Sequence, residues 1–352
     1  MNAKIVCLLA CALGSAAAPT VSAAAAERPA AARPAYQAPH NAFGQPDFTG
    51  VWSNTMTTRM ERPANLGDRL VFTPAEVKAI EQEREAMRKS GDEPTPQEAT
   101  ITDLVKTCNI PGVPAGGPDC GVNTAFIDAG ERVGRVNGQP RTSLITFPAN
   151  GNIPFKPGKG LRPNFWEEGN RDNPENRGLT DRCLVGNNIS TGAIMGPTLY
   201  NNNFLFQQSD NTVAIVIEMS HDARMVRLNV RHDTQPKWLG DSVGHWEGDT
   251  LVVDTINFHP EQLAFNSPQL HLIERFTRVG AERMLYQFRV EDPEVYSQPW
   301  GGEMELRPTK GLQYEYACHE GNHALSGILA GARAEEQEQK QNRAAVSTSG
   351  RQ

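Results

Sequence analysis

The chain has no glycine-rich phosphate loop, no dinucleotide fingerprint and no C-x-x-C pair, so nothing in it supports nucleotide use or thiol redox chemistry. It has no run of basic residues either: 34 Lys and Arg stand against 41 Asp and Glu, a formal net charge of −7. A moderately acidic chain is a poor partner for nucleic acid or anionic lipid. No stretch beyond the amino terminus approaches the roughly 20 apolar residues that span a bilayer, so stable membrane insertion is not expected. Cysteine is scarce, six in all.

What is present at the amino terminus reads as an export leader. Lys4 gives a short positive region, Ile5 to Leu13 are apolar, and Val21-Ser22-Ala23 is a small-x-small cleavage site, the pattern of a secretory signal peptide over residues 1–26. The expected location is therefore the periplasm or the secreted fraction. Cys11 after Leu8-Leu9-Ala10 faintly resembles a lipidation box but lies too near the start to follow a full apolar region. Loss of the leader removes Lys4, leaving 33 basic residues against 41 acidic and a charge of −8. It also removes Cys7 and Cys11. The remaining Cys108, Cys120, Cys183 and Cys318 read as two disulfides, with Cys108–Cys120 closing a Pro/Gly-rich loop and Cys183–Cys318 crossing the fold favoured among three connectivities.

Residues 27–45, rich in Ala and Pro, read as a disordered lead-in, and order is expected from Pro46. Thr73-Pro74-Ala75-Glu76 is a capping box that opens a helix over Pro74 to Lys89. Residues 46–202 form an amino-terminal region of helix and long ordered loops. Residues 203–336 form the β core, with strands expected at Phe204–Gln208, Thr212–Glu218, Arg224–Asn229, Thr250–Phe258, His271–Arg278, Arg283–Val290, Gly302–Leu306 and Leu312–Ala317. Tight turns such as Glu247-Gly248-Asp249 join them, and Asn150-Gly151 suggests one earlier hairpin. The fold class is mainly β: an antiparallel meander closed into a lipocalin-like barrel or folded as a sandwich, with two peripheral helices. A closing helix is expected over Asn322 to Glu336, followed by a disordered tail, 337–352.

The blocks Trp238-Leu239-Gly240-Asp241-Ser242, Trp246-Glu247-Gly248-Asp249-Thr250-Leu251-Val252-Val253-Asp254-Thr255, Glu274-Arg275-Phe276-Thr277, Val290-Glu291-Asp292-Pro293 and Tyr314-Glu315-Tyr316-Ala317-Cys318-His319-Glu320-Gly321-Asn322 resemble the signature blocks of a large, mostly uncharacterised family of exported bacterial proteins. The resemblance runs from about Pro46 to Arg333. It implies export and little about chemistry; where the family pattern has an aromatic residue, this chain has His323.

His319-Glu320-Gly321-Asn322-His323 has the zincin spacing H-E-x-x-H, which works when a helix stacks two imidazoles on one face. Here a strand is expected before it and Gly321 disfavours helix by about 1 kcal/mol, so a zinc-dependent hydrolase using His319 and His323 is the second alternative, and zinc is not the favoured cofactor. His319 and Glu320 are instead candidate acid/base residues, or braces of the strand-to-helix corner. His245, Asp241 and Asp254 form a second candidate polar group around a hairpin. Glu274 and Arg275 share a strand, so one must face the apolar side and needs a partner; with Trp246 they are the candidate substrate-binding residues, Arg275 as a fork for a carboxylate or phenolate. The function expected is a cofactor-independent lyase or isomerase acting by proton transfer on a small hydrophobic or aromatic molecule in a β-lined pocket. The alternative is a lipocalin-like carrier of such a molecule.

Overall fold

Alternation of buried and half-exposed residues, seen most simply along Thr212–Ile217, places one face of each strand against a common interior. The computed structural model describes residues 36–91, 128, 130–160, 173–185, 194–198, 200–263 and 266–349. Its strands are β1 (Gly50–Ser53), β2 (Arg135–Val136), β3 (Gln139–Pro140), β4 (Ile145–Phe147), β5 (Asn203–Gln208), β6 (Thr212–Ile217), β7 (Ala223–Leu228), β8 (Asp241–Glu247), β9 (Thr250–Ile256), β10 (His271–Gly280), β11 (Arg283–Glu291) and β12 (Trp300–Pro308); its helices are α1 (Pro74–Gly91) and α2 (Ala324–Ser349).

Nine strands close in the order β1-β5-β6-β7-β8-β9-β10-β11-β12, and Trp52 opposite Pro308 with Ser53 opposite Arg307 completes the ring. The protein is a β-barrel rather than a sandwich. β4 adds a tenth strand beside β12 at Gly301 and Gly302. Glycine is required there, since a Cβ would lie 2.1 Å from the Phe288 carbonyl at Gly301 and 2.1 Å from the Leu144 carbonyl at Gly302. The meander is broken once. Residues 229–240 cross over, so β8 runs parallel to β7 with Arg227 opposite Val243, whereas a tight hairpin would have made the pair antiparallel.

Large side chains fill the barrel. Phe204 and Phe206 of β5, Ile215 and Ile217 of β6, Phe276 of β10 and Tyr286 of β11 are all fully buried. Ring centroids lie 5.5 Å apart between Phe206 and Phe276, and 5.0 Å apart between Phe276 and Tyr286. Each such side chain contributes about 1.5–3 kcal/mol by leaving water, and small barrels are generally packed this way.

The α1 capping box forms as expected: Thr73 Oγ1 accepts from the Glu76 amide at 3.3 Å and Glu76 Oε2 from the Thr73 amide at 2.8 Å. Four local expectations differ. Residues 36–45 are ordered from Tyr36 because the Gln45 amide donates to the Ser209 and Asp210 carbonyls at the β5–β6 turn, at 3.0 and 3.1 Å. Ile153–Phe155 makes no hairpin with β4, which pairs with β12 instead, while Phe155 bridges Tyr296. Leu312–Ala317 is extended but no strand, with Leu312 77% and Tyr314 71% exposed. β11 holds one edge of β12 and β1 with β4 the other, so no edge is left for it. Finally, α2 runs on past Glu336 into the expected tail.

Candidate functional site

The register sorts the candidate residues onto opposite sides of the barrel wall. Five adjacent strands each turn one polar side chain inward: Arg224, Ser242, Thr255, Glu274 and Tyr286, from β7 to β11 in order. Glu274 is 0% exposed. Arg224 grips both of its oxygens, Nη1 at 3.1 Å from Oε1 and Nη2 on Oε2, and the Tyr286 hydroxyl donates to Oε1 at 2.8 Å. Burial pulls the Arg224 pKa down, but Glu274 outweighs it and the net direction is up. Burial and the Glu274 charge push Tyr286 well above its usual value. The partner that Glu274 needs is thus Arg224, fifty residues away in sequence, and its carboxylate is consumed by the fold. The Met195 amide donates to the Tyr286 hydroxyl at 3.2 Å, and the Asn54 side chain holds the Met195 carbonyl at 2.8 Å, so a loop ties directly onto this belt.

Arg275 points outward instead and pairs with Glu247 at 2.8 Å, and exposed His245 lies 3.2 Å from the same carboxylate. Trp246 faces inward and packs edge-on against Phe48, centroids 5.2 Å apart. These substrate-binding candidates are therefore not gathered at one point, and His245 does not meet Asp241.

Gly240-Asp241-Ser242-Val243-Gly244 carries the letters of the G-x-S-x-G nucleophile elbow. An elbow needs an exposed serine on a strand-to-helix turn with a histidine at its hydroxyl. Ser242 is buried within β8, its hydroxyl 2.9 Å from Thr255 and 3.5 Å from Arg224, so the serine is structural.

Asp241 faces outward yet its side chain is 1% exposed, because the crossover folds over it. Arg227 donates to its two oxygens at 2.8 and 3.0 Å, the Asp233 amide at 2.9 Å, and Lys237 closes on Oδ1. Burial works to raise its pKa, but the hydrogen bonds from Lys237, Asp233 and His232 outweigh it and hold it at about 2. His232 extends the network: Nδ1 lies 3.0 Å from Asp241 and Nε2 3.0 Å from Asp254, which also meets His271 at 3.0 Å. The hydrogen bond to Asp254 raises the His271 pKa. His232 and His271 were missed because neither stands in a recognisable motif. The available signal was their placement, one in the Trp238 block's lead-in and one at the head of a strand.

Of the remaining candidates, Glu320 lines an open cleft of about 460 Å³. Its walls are Thr180 and Asp181 on one side and, on the other, Tyr316, Glu320 and the first turns of α2 with Leu325 and Ile328. The Cys183–Cys318 disulfide joins the two walls, with S–S at 2.07 Å, in the pairing expected across the fold. Cys108 and Cys120 lie outside the described residues. Asn322, expected to open the closing helix, lies before α2 and reaches across to the Asp181 carbonyl at 3.1 Å and Cys183 Sγ at 3.2 Å. Glu320 lines the cleft and has no side-chain hydrogen bond or ion pair among the described residues. Asp181 is paired with Arg177 at 2.8 Å. His319 and His323 are exposed before α2, and neither is among the lining residues. Among the described residues no group of three or more His, Cys, Asp or Glu has the geometry to hold a metal ion. The lining residues come from loops and helix, with no strand residue, whereas a β-lined pocket was expected. No family model, curated protein or solved structure matches the chain.

Proposed function

We propose that the chain is an exported enzyme that holds a small, partly apolar molecule in the cleft beside the Cys183–Cys318 bridge and acts on it by proton transfer through Glu320, in the manner of a lyase or isomerase without a cofactor. The observation that carries this reading is the state of the carboxylates. Asp241 and Glu274 are spent in networks and Asp181 is spent on Arg177, while Glu320 faces a cavity of ligand size with its oxygens unengaged. Pockets that take small molecules run to about 300–1,000 Å³ and combine apolar walls with few polar groups. Leu325 and Ile328 supply the wall, and Tyr316 an aromatic face. Export is supported by the leader pattern and by the resemblance to exported bacterial proteins, and a disulfide suits an oxidising compartment.

The carrier reading has one specific observation in its favour: no imidazole lines the cleft, so a ligand held there meets a single unpaired carboxylate. A zinc hydrolase is not carried forward, because His319 and His323 are given no third ligand among the described residues. Native mass spectrometry of the chain purified from the periplasm tests occupancy of the cleft. A bound small molecule lost in Ala324→Trp, which fills the cleft, is the expected result. Retention of the same mass in that variant would remove the proposal.

A further inference from the structure

The charges around the cleft also say what kind of molecule it suits. Its lining contains two carboxylates, Asp181 and Glu320, and no Lys, Arg or His. Asp181 is already neutralised by Arg177, so the uncompensated charge is that of Glu320. The first residue of α2, Ala324, also lines the cleft, and a helix amino terminus carries the equivalent of about half a positive charge. One full carboxylate outweighs that half charge, and the cleft is left electronegative. Half-buried Tyr316 adds an aromatic ring, a group whose face attracts cations, and Leu325 and Ile328 line the same space with hydrocarbon.

We infer that the cleft selects an organic cation: a small amine carried on an apolar or aromatic body, its ammonium on Glu320 and its body against Tyr316, Leu325 and Ile328. This rests on the reading of the cleft as the ligand site and adds the charge class of the ligand. An amine also accounts for the lone carboxylate, because an ammonium satisfies it without any second polar group from the protein. An anionic ligand would meet Glu320 with no cation in the lining to offset the repulsion.

Titration calorimetry of the full oxidised chain with three matched probes, phenethylamine, 2-phenylethanol and phenylacetate, separates the possibilities. The expected order of affinity is amine, then alcohol, then carboxylate, with added salt weakening only the amine. Glu320→Gln is expected to weaken the amine about tenfold and leave the alcohol within about twofold. Glu282→Gln in the β10–β11 turn should change neither. Ala324→Trp should abolish all binding, and a circular dichroism spectrum matching the parent's shows that each variant is folded. Phenylacetate binding as tightly as phenethylamine, or an amine affinity unchanged in Glu320→Gln, would overturn the charge assignment while leaving the cleft a binding site. Failure of all three probes to bind would overturn the assignment and the cleft reading together.

Discussion

The Nδ1 of His232 lies 3.0 Å from Oδ2 of Asp241, and the other ring nitrogen, Nε2, lies 3.0 Å from Oδ1 of Asp254. The ring thus bridges a carboxylate on β8 and one on β9, and this array braces the crossover between β7 and β8.

This array makes stability depend on pH in two opposite ways. His271 has its pKa raised by Asp254, so its contribution is fully present below the unfolded histidine value of about 6.5 and is lost as pH rises through the raised folded value. Asp241, held at about 2, contributes fully above the unfolded aspartate value of about 3.9, and that contribution is lost as pH falls toward 2. Thermal melts from pH 3 to 9 should show a maximum between these limits. His271→Gln should flatten the alkaline side and leave the acid side unchanged. A variant with the same alkaline slope as the parent would show that the histidine contributes nothing.

Inside the barrel, Glu274→Gln leaves the Arg224 guanidinium buried without its counter-charge. Breaking a buried pair from one side costs about 3–5 kcal/mol, whereas replacing both members by apolar side chains is often neutral. Urea melts of Glu274→Gln and of the double variant Arg224→Met with Glu274→Leu should therefore rank the double variant as the more stable. Equal or greater loss in the double variant would show that the surrounding hydroxyls of Ser242, Thr255 and Tyr286 depend on the charges.

The Cys183–Cys318 bond joins residues 135 apart in sequence, and loss of such a native bridge typically costs about 2–5 kcal/mol. Alkylation without reductant followed by peptide mapping should leave Cys183 and Cys318 unlabelled. Label on both would contradict the pairing. The double Ser variant should melt at lower temperature and bind phenethylamine more weakly, because the bond joins the two walls of the cleft.

Seven strands of the barrel, β5 to β7 and β9 to β12, were legible, most simply β6, β10 and β11, along which buried and half-exposed residues alternate. β8 was hidden because its inward positions begin with Ser242 and Gly244 while Val243 turns outward, so no apolar alternation shows. The extended run Leu312–Ala317 misled for the converse reason, since period-two patterning records a strand's preference and not whether a sheet edge is free. At the sites, alternation showed that Glu274 or Arg275 must turn inward, but it could not name Arg224, which reaches Glu274 through barrel closure. Glu320 was found because it stands in a recognisable block, but that block does not show that Glu320 lines a cleft while the adjacent His319 does not. His232 and His271 are brought together by the crossover and by strand pairing, neither of which has a local signature.

Glu320 facing the cleft is the centre of the functional account, and its most direct test is turnover. Wild type, His319→Gln and Glu320→Gln are each incubated with a small-molecule extract enriched in amines and followed by mass spectrometry. Wild type is expected to consume at least one amine with appearance of an isomer or elimination product. Glu320→Gln should be about a hundred- to ten-thousandfold slower, the usual worth of positioned proton transfer, with His319→Gln affected far less. Consumption at the wild-type rate by Glu320→Gln would contradict it.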